Sequence, residues 1–205
     1  MTTYTTPTDW KSEKWWRNRS KDERLFHLHV PKRWRSLKFD SLDLDKDTLG
    51  HAQTWLDDYE RGASLYIYGR SGTGKTSLAQ ALAQHLVEND QTSGRFLPSD
   101  QYIEMLQDSF DNNNLLPEMY STPYLLKYVQ AVFDVLVLDG VGQERDTEFT
   151  RHEIGSLVRR RYENERTVII TSSMPPMDFI RRYGDRVKGA VTEMSTIKVD
   201  TPRVA

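Results

Sequence analysis

The chain has 205 residues, of which 37% are hydrophobic, which suits one compact domain with a short appendage rather than two full domains. It contains no cysteine, so disulfide bonds, thiolate catalysis and cysteine-based zinc sites are excluded. The net charge is −2, but both ends are basic and residues 41–150 are acidic. A basic end can contact nucleic acid or an acidic partner, or it can simply be solvated.

Residues 1–35 differ from the rest of the chain, because tryptophans lie there among lysines and arginines. We predict a short helix over residues 9–19 within this basic N-terminal extension, and one larger domain over residues 36–205. Trp15 and Trp16 could anchor a protein partner, stack on single-stranded bases, or pack back onto the larger domain.

Beyond this extension, apolar runs typical of buried strands alternate with segments whose apolar residues recur at helical spacing. The predicted strands cover residues 64–69, 95–98, 133–138, 166–171 and 196–199. The predicted helices cover residues 75–87, 99–110, 123–130, 148–162, 176–183 and 185–191. Apolar strands separated by helices indicate a parallel sheet covered on both faces. The predicted fold class is therefore α/β with three layers.

The first predicted strand leads into Gly69-Arg70-Ser71-Gly72-Thr73-Gly74-Lys75-Thr76, which matches the phosphate-binding pattern G-x-x-x-x-G-K-[ST]. Its glycines allow backbone N–H groups to turn inward, where they and the following helix end bind phosphates. Lys75 is expected to reach the β- and γ-phosphates and Thr76 to ligate Mg²⁺, while Ser77 completes the predicted nucleotide-binding set. The alternative is a chance glycine-rich turn, but this segment lies between a predicted strand and a predicted helix. We therefore predict that the chain binds ATP with Mg²⁺.

The most apolar predicted strand ends in Asp139, which is expected to hold Mg²⁺ opposite Thr76, usually through a water. The alternative is an ordinary aspartate in a turn. ATPases of this layout carry an acidic residue directly after this aspartate, which polarises the attacking water. That position is Gly140, which has no side chain. Either Glu144, or after it Asp146, takes this role, or hydrolysis is slow.

Further segments occur in order along the chain at residues 31–35, 39–40, 139–144, 168–172, 183–187 and 199–203. Together with the phosphate loop, they resemble the DnaC/DnaI-type AAA+ ATPases, the replicative helicase loaders of bacteria and phages. They are also similar to the IstB transposition ATPases. The resemblance covers about residues 31–203 and implies a P-loop NTPase fold of the AAA+/RecA-like kind, with a short N-terminal helical extension.

The resemblance implies roles for four further residues. Glu144 matches the last acid of a D-x-x-G-x-E pattern found in many members. Ser172 lies where the family places a polar sensor of the γ-phosphate, usually asparagine. Arg203 falls where the family has a C-terminal arginine beside the nucleotide, or it is a solvated tail residue. Arg186 begins an R-[IV]-x-x-R pattern whose second arginine, which reaches a neighbouring subunit's ATP, is here Ala190. Arg186 is expected either to act in its place or to be an ordinary surface arginine.

The resemblance thus implies a cytoplasmic ATPase, in a bacterium or a phage-infected cell, that loads a DnaB-type hexameric helicase onto single-stranded DNA. Lys75, Asp139, Glu144 and Arg186 form the expected catalytic set. Self-assembly is expected when ATP and the partner are bound, with weak or transient contact to DNA and none to a membrane. The short extension is phage-like. The alternatives are an IstB-like transposition ATPase and a small P-loop kinase.

One charge run lies on the predicted helix over residues 148–162, at Arg159, Arg160 and Arg161. Because successive helical residues point in different directions, we predict a solvated face there rather than a DNA-binding patch. The five histidines have no ligand spacing, so no metal other than Mg²⁺ is predicted.

Overall fold

A single parallel sheet forms the centre of the computed structural model, which describes residues 18–89, 92–111, 129 and 133–200. Its strands are β1 Leu65–Tyr68, β2 Gly94–Pro98, β3 Val135–Val141, β4 Thr167–Ser172 and β5 Ser195–Lys198. They lie side by side in the order β2-β3-β4-β1-β5, and each neighbouring pair is parallel. The predicted α/β class and its five strands are confirmed, with strand ends shifted by a few residues.

Helices connect and cover these strands. They are α1 Lys21–Leu28, α2 Lys46–Asp57, α3 Lys75–Asn89, α4 Ser99–Asp111, α5 Glu148–Glu163, α6 Pro176–Tyr183 and α7 Lys188–Glu193. Short 3-10 turns cover Lys32–Trp34, Phe39–Ser41 and Asp185–Val187. No helix in the described part of the chain is long and apolar enough to cross a bilayer.

Sequence reasoning missed α1 and α2, although both carry local start signals. Ser20 and Glu23 form a reciprocal capping box at the start of α1, and the Asp45 side chain accepts the Thr48 N–H at the start of α2. The predicted helices over residues 9–19 and 123–130 fall outside the described residues, except for residues 18, 19 and 129.

Most of β1, all of β4 and the first four residues of β3 are buried because both faces of the central sheet are covered, whereas β5, at the sheet edge, buries only Ile197. Successive side chains of β1 point to opposite faces. Leu65 and Ile67 pack in the cluster that includes residues of α1, α2 and α3. Tyr66 lies in the opposite cluster, which includes residues of α4, α5 and α6. This arrangement makes the predicted three layers.

Arg161 on α5 is fully buried, so the predicted solvated face is wrong for this residue, whereas Arg159 and Arg160 are exposed. Its guanidinium donates to four backbone carbonyls at 2.7–3.1 Å, those of Val129, Phe133, Asp134 and Thr167. Burial lowers the pKa of Arg161 to about 9. The side chain joins the segment before β3 to the start of β4, because each contributes carbonyls to which it donates.

The N-terminal described residues pack on the end of α3. The last carbonyls of a helix lack intrahelical donors, and Arg24 supplies them, donating to the carbonyls of Val87 at 3.0 Å and Glu88 at 3.3 Å. The Glu88 carboxylate pairs with Lys21 at 2.7 Å and with Lys38 at 2.6 Å. These contacts place the turn at Lys32–Trp34 close to the phosphate loop. The division into an extension and a domain at residues 35 and 36 stays a prediction.

Candidate nucleotide-binding site

The phosphate loop joins β1 to α3 and needs glycine at three positions. Gly72 and Gly74 have φ angles of +80° and +98°, in the left-handed region that favours glycine. A Cβ on Gly69 would lie 2.0 Å from the carbonyl oxygen of Val199, so the loop passes against the chain that leaves β5. The backbone of this loop therefore requires glycine at each of the three predicted positions.

Lys75 begins α3, and its ammonium lies inside the loop. It donates to the carbonyls of Gly69 at 2.9 Å and Arg70 at 2.5 Å. Burial lowers the pKa of Lys75, an effect that the charge of Asp139 opposes. Thr73 is buried and its hydroxyl donates to the Arg70 carbonyl at 2.9 Å. The remaining predicted loop residues differ in exposure: Arg70 and Ser71 are exposed, and Ser77 is buried in the first turn of α3.

Two threonine hydroxyls converge on Asp139 at the end of the apolar part of β3. Thr76 donates to its Oδ1 at 2.9 Å, and Thr171 donates to the same oxygen at 2.6 Å. Burial raises the pKa of Asp139, and the hydrogen bonds from Thr171 and Thr76 oppose that rise. A hydroxyl and a carboxylate are oxygen ligands of the kind that Mg²⁺ prefers, so the Thr76 and Asp139 pair fits this ion. Thr171 was not among the predicted site residues, although its polar side chain at the tip of β4 was a visible signal.

The residue after Asp139 lies in an irregular part of the strand. The register between β3 and β4 shifts between Leu138 and Val141, and Gly140 has a φ of +72°. The Gly140 N–H donates to the Thr171 hydroxyl at 2.8 Å. A side chain at this position would be strained, so the backbone disfavours the acidic residue that the sequence analysis expects after Asp139.

Glu144 is only 6% exposed, and both of its carboxylate oxygens accept hydrogen bonds. Oε2 accepts from the Gly142 N–H at 2.8 Å and the Ser99 hydroxyl at 3.0 Å. Oε1 accepts from Arg182 at 3.3 Å and from the Tyr183 hydroxyl. Glu144 thus joins the turn after β3 to α4 and α6. Its predicted role in activating water stays a prediction, as does that of Asp146, which is exposed and pairs with Arg151 at 2.7 Å.

The other predicted residues lie at different distances from the loop. The hydroxyl of buried Ser172 donates to the Val141 carbonyl at 2.7 Å, although the residue lines the same cavity as the phosphate loop. Arg186 is exposed beside α5, where its guanidinium contacts His152 Nδ1 at 2.8 Å. It does not line the phosphate cavity. Arg203 lies outside the described residues. The roles of all three stay predictions.

A cavity of about 180 Å³ lies in front of the phosphate loop and brings in residues that sequence reasoning did not assign. Besides residues of the phosphate loop, α3 and β4, its lining includes Arg33, Trp34, Gly140 and Gln143. Arg33 is an exposed cation on the turn that packs beside α3, and Gln143 belongs to the turn after β3. Neither could be placed here without the tertiary structure.

The sheet order, the phosphate loop after β1 and the facing Thr76 and Asp139 define a P-loop ATPase domain of the AAA+ type. The family model for the bacterial DnaA ATPase domain matches residues 56–196, and the chain belongs to this family.

Individual relatives come from DNA replication. The chain is 28% identical over 143 residues to the chromosomal replication initiator protein DnaA of Lachnoclostridium phytofermentans, which covers 67% of this chain and 29% of that protein. It is 25% identical over 156 residues to the replicative helicase loader DnaI of Bacillus subtilis, which covers 73% of this chain and 46% of the loader. The chain thus spans less than half the length of these two relatives.

Solved structures share the fold. The crystal structure of the DnaC helicase loader superimposes with a TM-score of 0.71 at 24% identity, covering 82% of this chain and 99% of that one. DnaA bound to AMPPCP and single-stranded DNA gives a TM-score of 0.64 at 17% identity, covering 84% of this chain and 51% of that one.

Proposed function

We propose that the protein is an ATP-dependent loader that delivers a DnaB-type hexameric helicase to single-stranded DNA during replication. The main observation behind this proposal is a complete phosphate loop that faces the Thr76 and Asp139 pair. The chain that carries it is similar over most of its length to the loader DnaI. The likeness to the DnaC fold supports the same proposal. We place the protein in the cytoplasm, where such a helicase acts, and propose that loader subunits assemble when ATP and helicase are bound.

In this proposal the phosphate loop binds the nucleotide. Backbone N–H groups of the loop and the start of α3 donate to the α- and β-phosphates, and Lys75 exchanges its carbonyl partners for the β- and γ-phosphate oxygens. Thr76 and Asp139 would hold Mg²⁺, which when bound neutralises charge on the phosphates. Thr171 keeps the Asp139 carboxylate oriented towards Thr76 through the oxygen that both hydroxyls contact.

Conversion of ATP and water to ADP and phosphate is proposed to be slow. The position next to Asp139 is Gly140, and the Glu144 carboxylate already accepts four hydrogen bonds. A carboxylate that accepts several donors and is buried has little freedom to take a proton from water. Nucleotide binding would then assemble the loader with the helicase, and exchange or slow hydrolysis would release it.

Co-elution with a DnaB-type hexameric helicase, from the host or from a phage, tests the proposal. The chain and the hexameric helicase are mixed in Mg·ATP, in Mg·ADP and without nucleotide, then separated by size. A shared peak in ATP that Lys75→Ala loses is the expected result, because Lys75 is proposed to bind the nucleotide and its ammonium lies inside the phosphate loop. No shared peak in any nucleotide state would refute loading. ATP-dependent filaments on duplex DNA would indicate an IstB-like transposition ATPase instead, and phosphate transfer to a small acceptor would indicate a kinase.

A further inference from the structure

The side chain of Gln143 occupies the space in which the missing acidic residue would project. A Cβ built on Gly140 lies 3.3 Å from Gln143 Oε1, 3.4 Å from its Cδ and 3.6 Å from its Nε2. The position that follows Asp139 therefore lacks its own side chain but not a polar group. The side-chain amide of Gln143, three residues later, lies in that space.

The backbone holds Gln143 in this place. The Gln143 N–H donates to the Gly140 carbonyl at 3.0 Å and closes a tight turn. Gly140 and Gly142 have φ angles of +72° and +99°, so the turn depends on left-handed backbone at both positions. The Ser99 hydroxyl lies 3.2 Å from the Gly140 carbonyl, which links the turn to the start of α4.

The amide faces the cavity in which the phosphates are proposed to bind. Gln143 lines that cavity together with Lys75, Thr76 and Thr171. Among the described residues, no hydrogen bond engages its side-chain amide, so the carbonyl and the NH₂ group are both available to a water. An amide can accept a hydrogen bond from a water and donate one to a phosphate oxygen, but it cannot take up a proton at neutral pH.

We propose that Gln143 positions the attacking water at the γ-phosphate, in place of the acidic residue that Gly140 lacks. A glutamine that orients the attacking water without acting as a base is a known solution in GTP hydrolysis. The inference rests on the proposed hydrolysis of ATP and is independent of helicase binding.

The bond changes balance without a protein base. The water oxygen forms a bond to the γ-phosphorus, and the bond between that phosphorus and the β–γ bridging oxygen breaks, with its electron pair staying on ADP. The proton released by the water passes to an oxygen of the departing phosphate. Gln143 contributes orientation only, which agrees with the slow turnover proposed above.

Two variants of Gln143 and one control test this role. Gln143→Ala removes the amide, Gln143→Glu restores a carboxylate in the same space, and Gln101→Ala changes an exposed glutamine on α4. ATP turnover is measured together with the affinities for Mg·ATP and for Mg·ADP with aluminium fluoride, which mimics the phosphoryl group in transit. Because Gln143 is exposed, melting temperatures close to the wild type are expected for all three variants.

A residue that acts only in the transition state changes turnover and analogue binding together and leaves substrate binding alone. Gln143→Ala should lower both turnover and affinity for the aluminium fluoride complex about tenfold or more, with Mg·ATP affinity within about twofold. Gln143→Glu should match or exceed the wild-type turnover, since a carboxylate can orient the water and also accept its proton. Gln101→Ala should behave as wild type.

Three results would overturn the proposal. These are a Gln143→Ala variant with unchanged turnover and analogue binding, a Gln143→Glu variant as inactive as Gln143→Ala, and a wild-type chain that neither hydrolyses ATP nor prefers the analogue complex to ADP. Helicase co-elution by Gln143→Ala in ATP is measured in parallel. This co-elution tests the loader proposal separately, because Gln143→Ala is expected to bind ATP as the wild type does.

Discussion

Replacing Glu144 by glutamine distinguishes a buried positioning carboxylate from a water-activating base. The change keeps the size of the side chain and converts one of its two oxygens into an NH₂ group. In the structure both oxygens accept hydrogen bonds, Oε2 from Gly142 N–H and Ser99, and Oε1 from Arg182 and Tyr183. The amide therefore cannot satisfy all four donors in either orientation.

The cost follows from which donors can turn away. With the NH₂ group at the Oε2 side, the Ser99 hydroxyl can rotate to the Gly140 carbonyl at 3.2 Å, but the Gly142 N–H is fixed and loses its acceptor. With the NH₂ group at the other side, Tyr183 can rotate, but Arg182 loses its acceptor at that oxygen; the ion pair is lost in both orientations because the amide is neutral. An unsatisfied buried donor costs about 2–3 kcal/mol. At roughly 2–4 °C per kcal/mol for a chain of this size, the melting temperature should fall by about 4–12 °C.

Thermal unfolding followed by circular dichroism measures this change, and Glu104→Gln on the exposed face of α4 is the matched control. The control should melt within about 1 °C of the wild type, because surface substitutions rarely exceed 0.5 kcal/mol. A Glu144→Gln variant that melts with the wild type but has lost ATP turnover would refute the positioning argument. It would instead support the catalytic role predicted from the sequence.

Three other substitutions have defined outcomes. Arg161→Leu removes the buried guanidinium that donates to four backbone carbonyls and should cost at least about 4 kcal/mol in urea unfolding, against less than about 0.5 kcal/mol for exposed Arg159→Ala. Equal costs would contradict the burial argument. Gly69→Ala puts a methyl group 2.0 Å from the Val199 carbonyl oxygen, so the phosphate loop must shift and calorimetry should detect no binding of Mg·ATP. Wild-type affinity would show that the loop accommodates the methyl group by moving. Arg33→Ala removes a cation that lines the cavity and should raise the Kd for Mg·ATP about three- to tenfold without changing the melting temperature; an unchanged Kd would place Arg33 away from the phosphates.

Local sequence patterns were sufficient for the sheet and for the phosphate loop. The central strands β1, β3 and β4 have nearly continuous apolar runs because both faces of the sheet are covered there, and the sequence shows these runs directly. The spacing of glycines and Lys75 has one steric explanation, which the φ angles of Gly72 and Gly74 agree with. Asp139 was predicted because it ends the most apolar predicted strand of a chain that also carries a phosphate loop.

The sequence also carries local signals for the starts of α1 and α2, which the predicted helices did not include. The capping box at Ser20 and Glu23 and the cap at Asp45 mark the starts of α1 and α2 within four residues of sequence. α1 has only eight residues and its buried positions are Arg24 and Leu28, so hydrophobic periodicity alone did not reveal it. Its position against α3 depends on contacts such as that of Arg24 with the Val87 carbonyl, 63 residues away.

The sequence by itself determined that this chain has a parallel α/β sheet with a phosphate loop, because period and spacing are properties of neighbouring residues. Only the tertiary structure decided what surrounds that loop. It buries Arg161 among carbonyls from separate segments, joins Thr171 to Asp139, surrounds Glu144 with four donors and brings the Gln143 amide to the space beside Gly140. These arrangements depend on distant segments meeting, or on the particular backbone angles of a turn, and the order of residue types along the chain specifies neither.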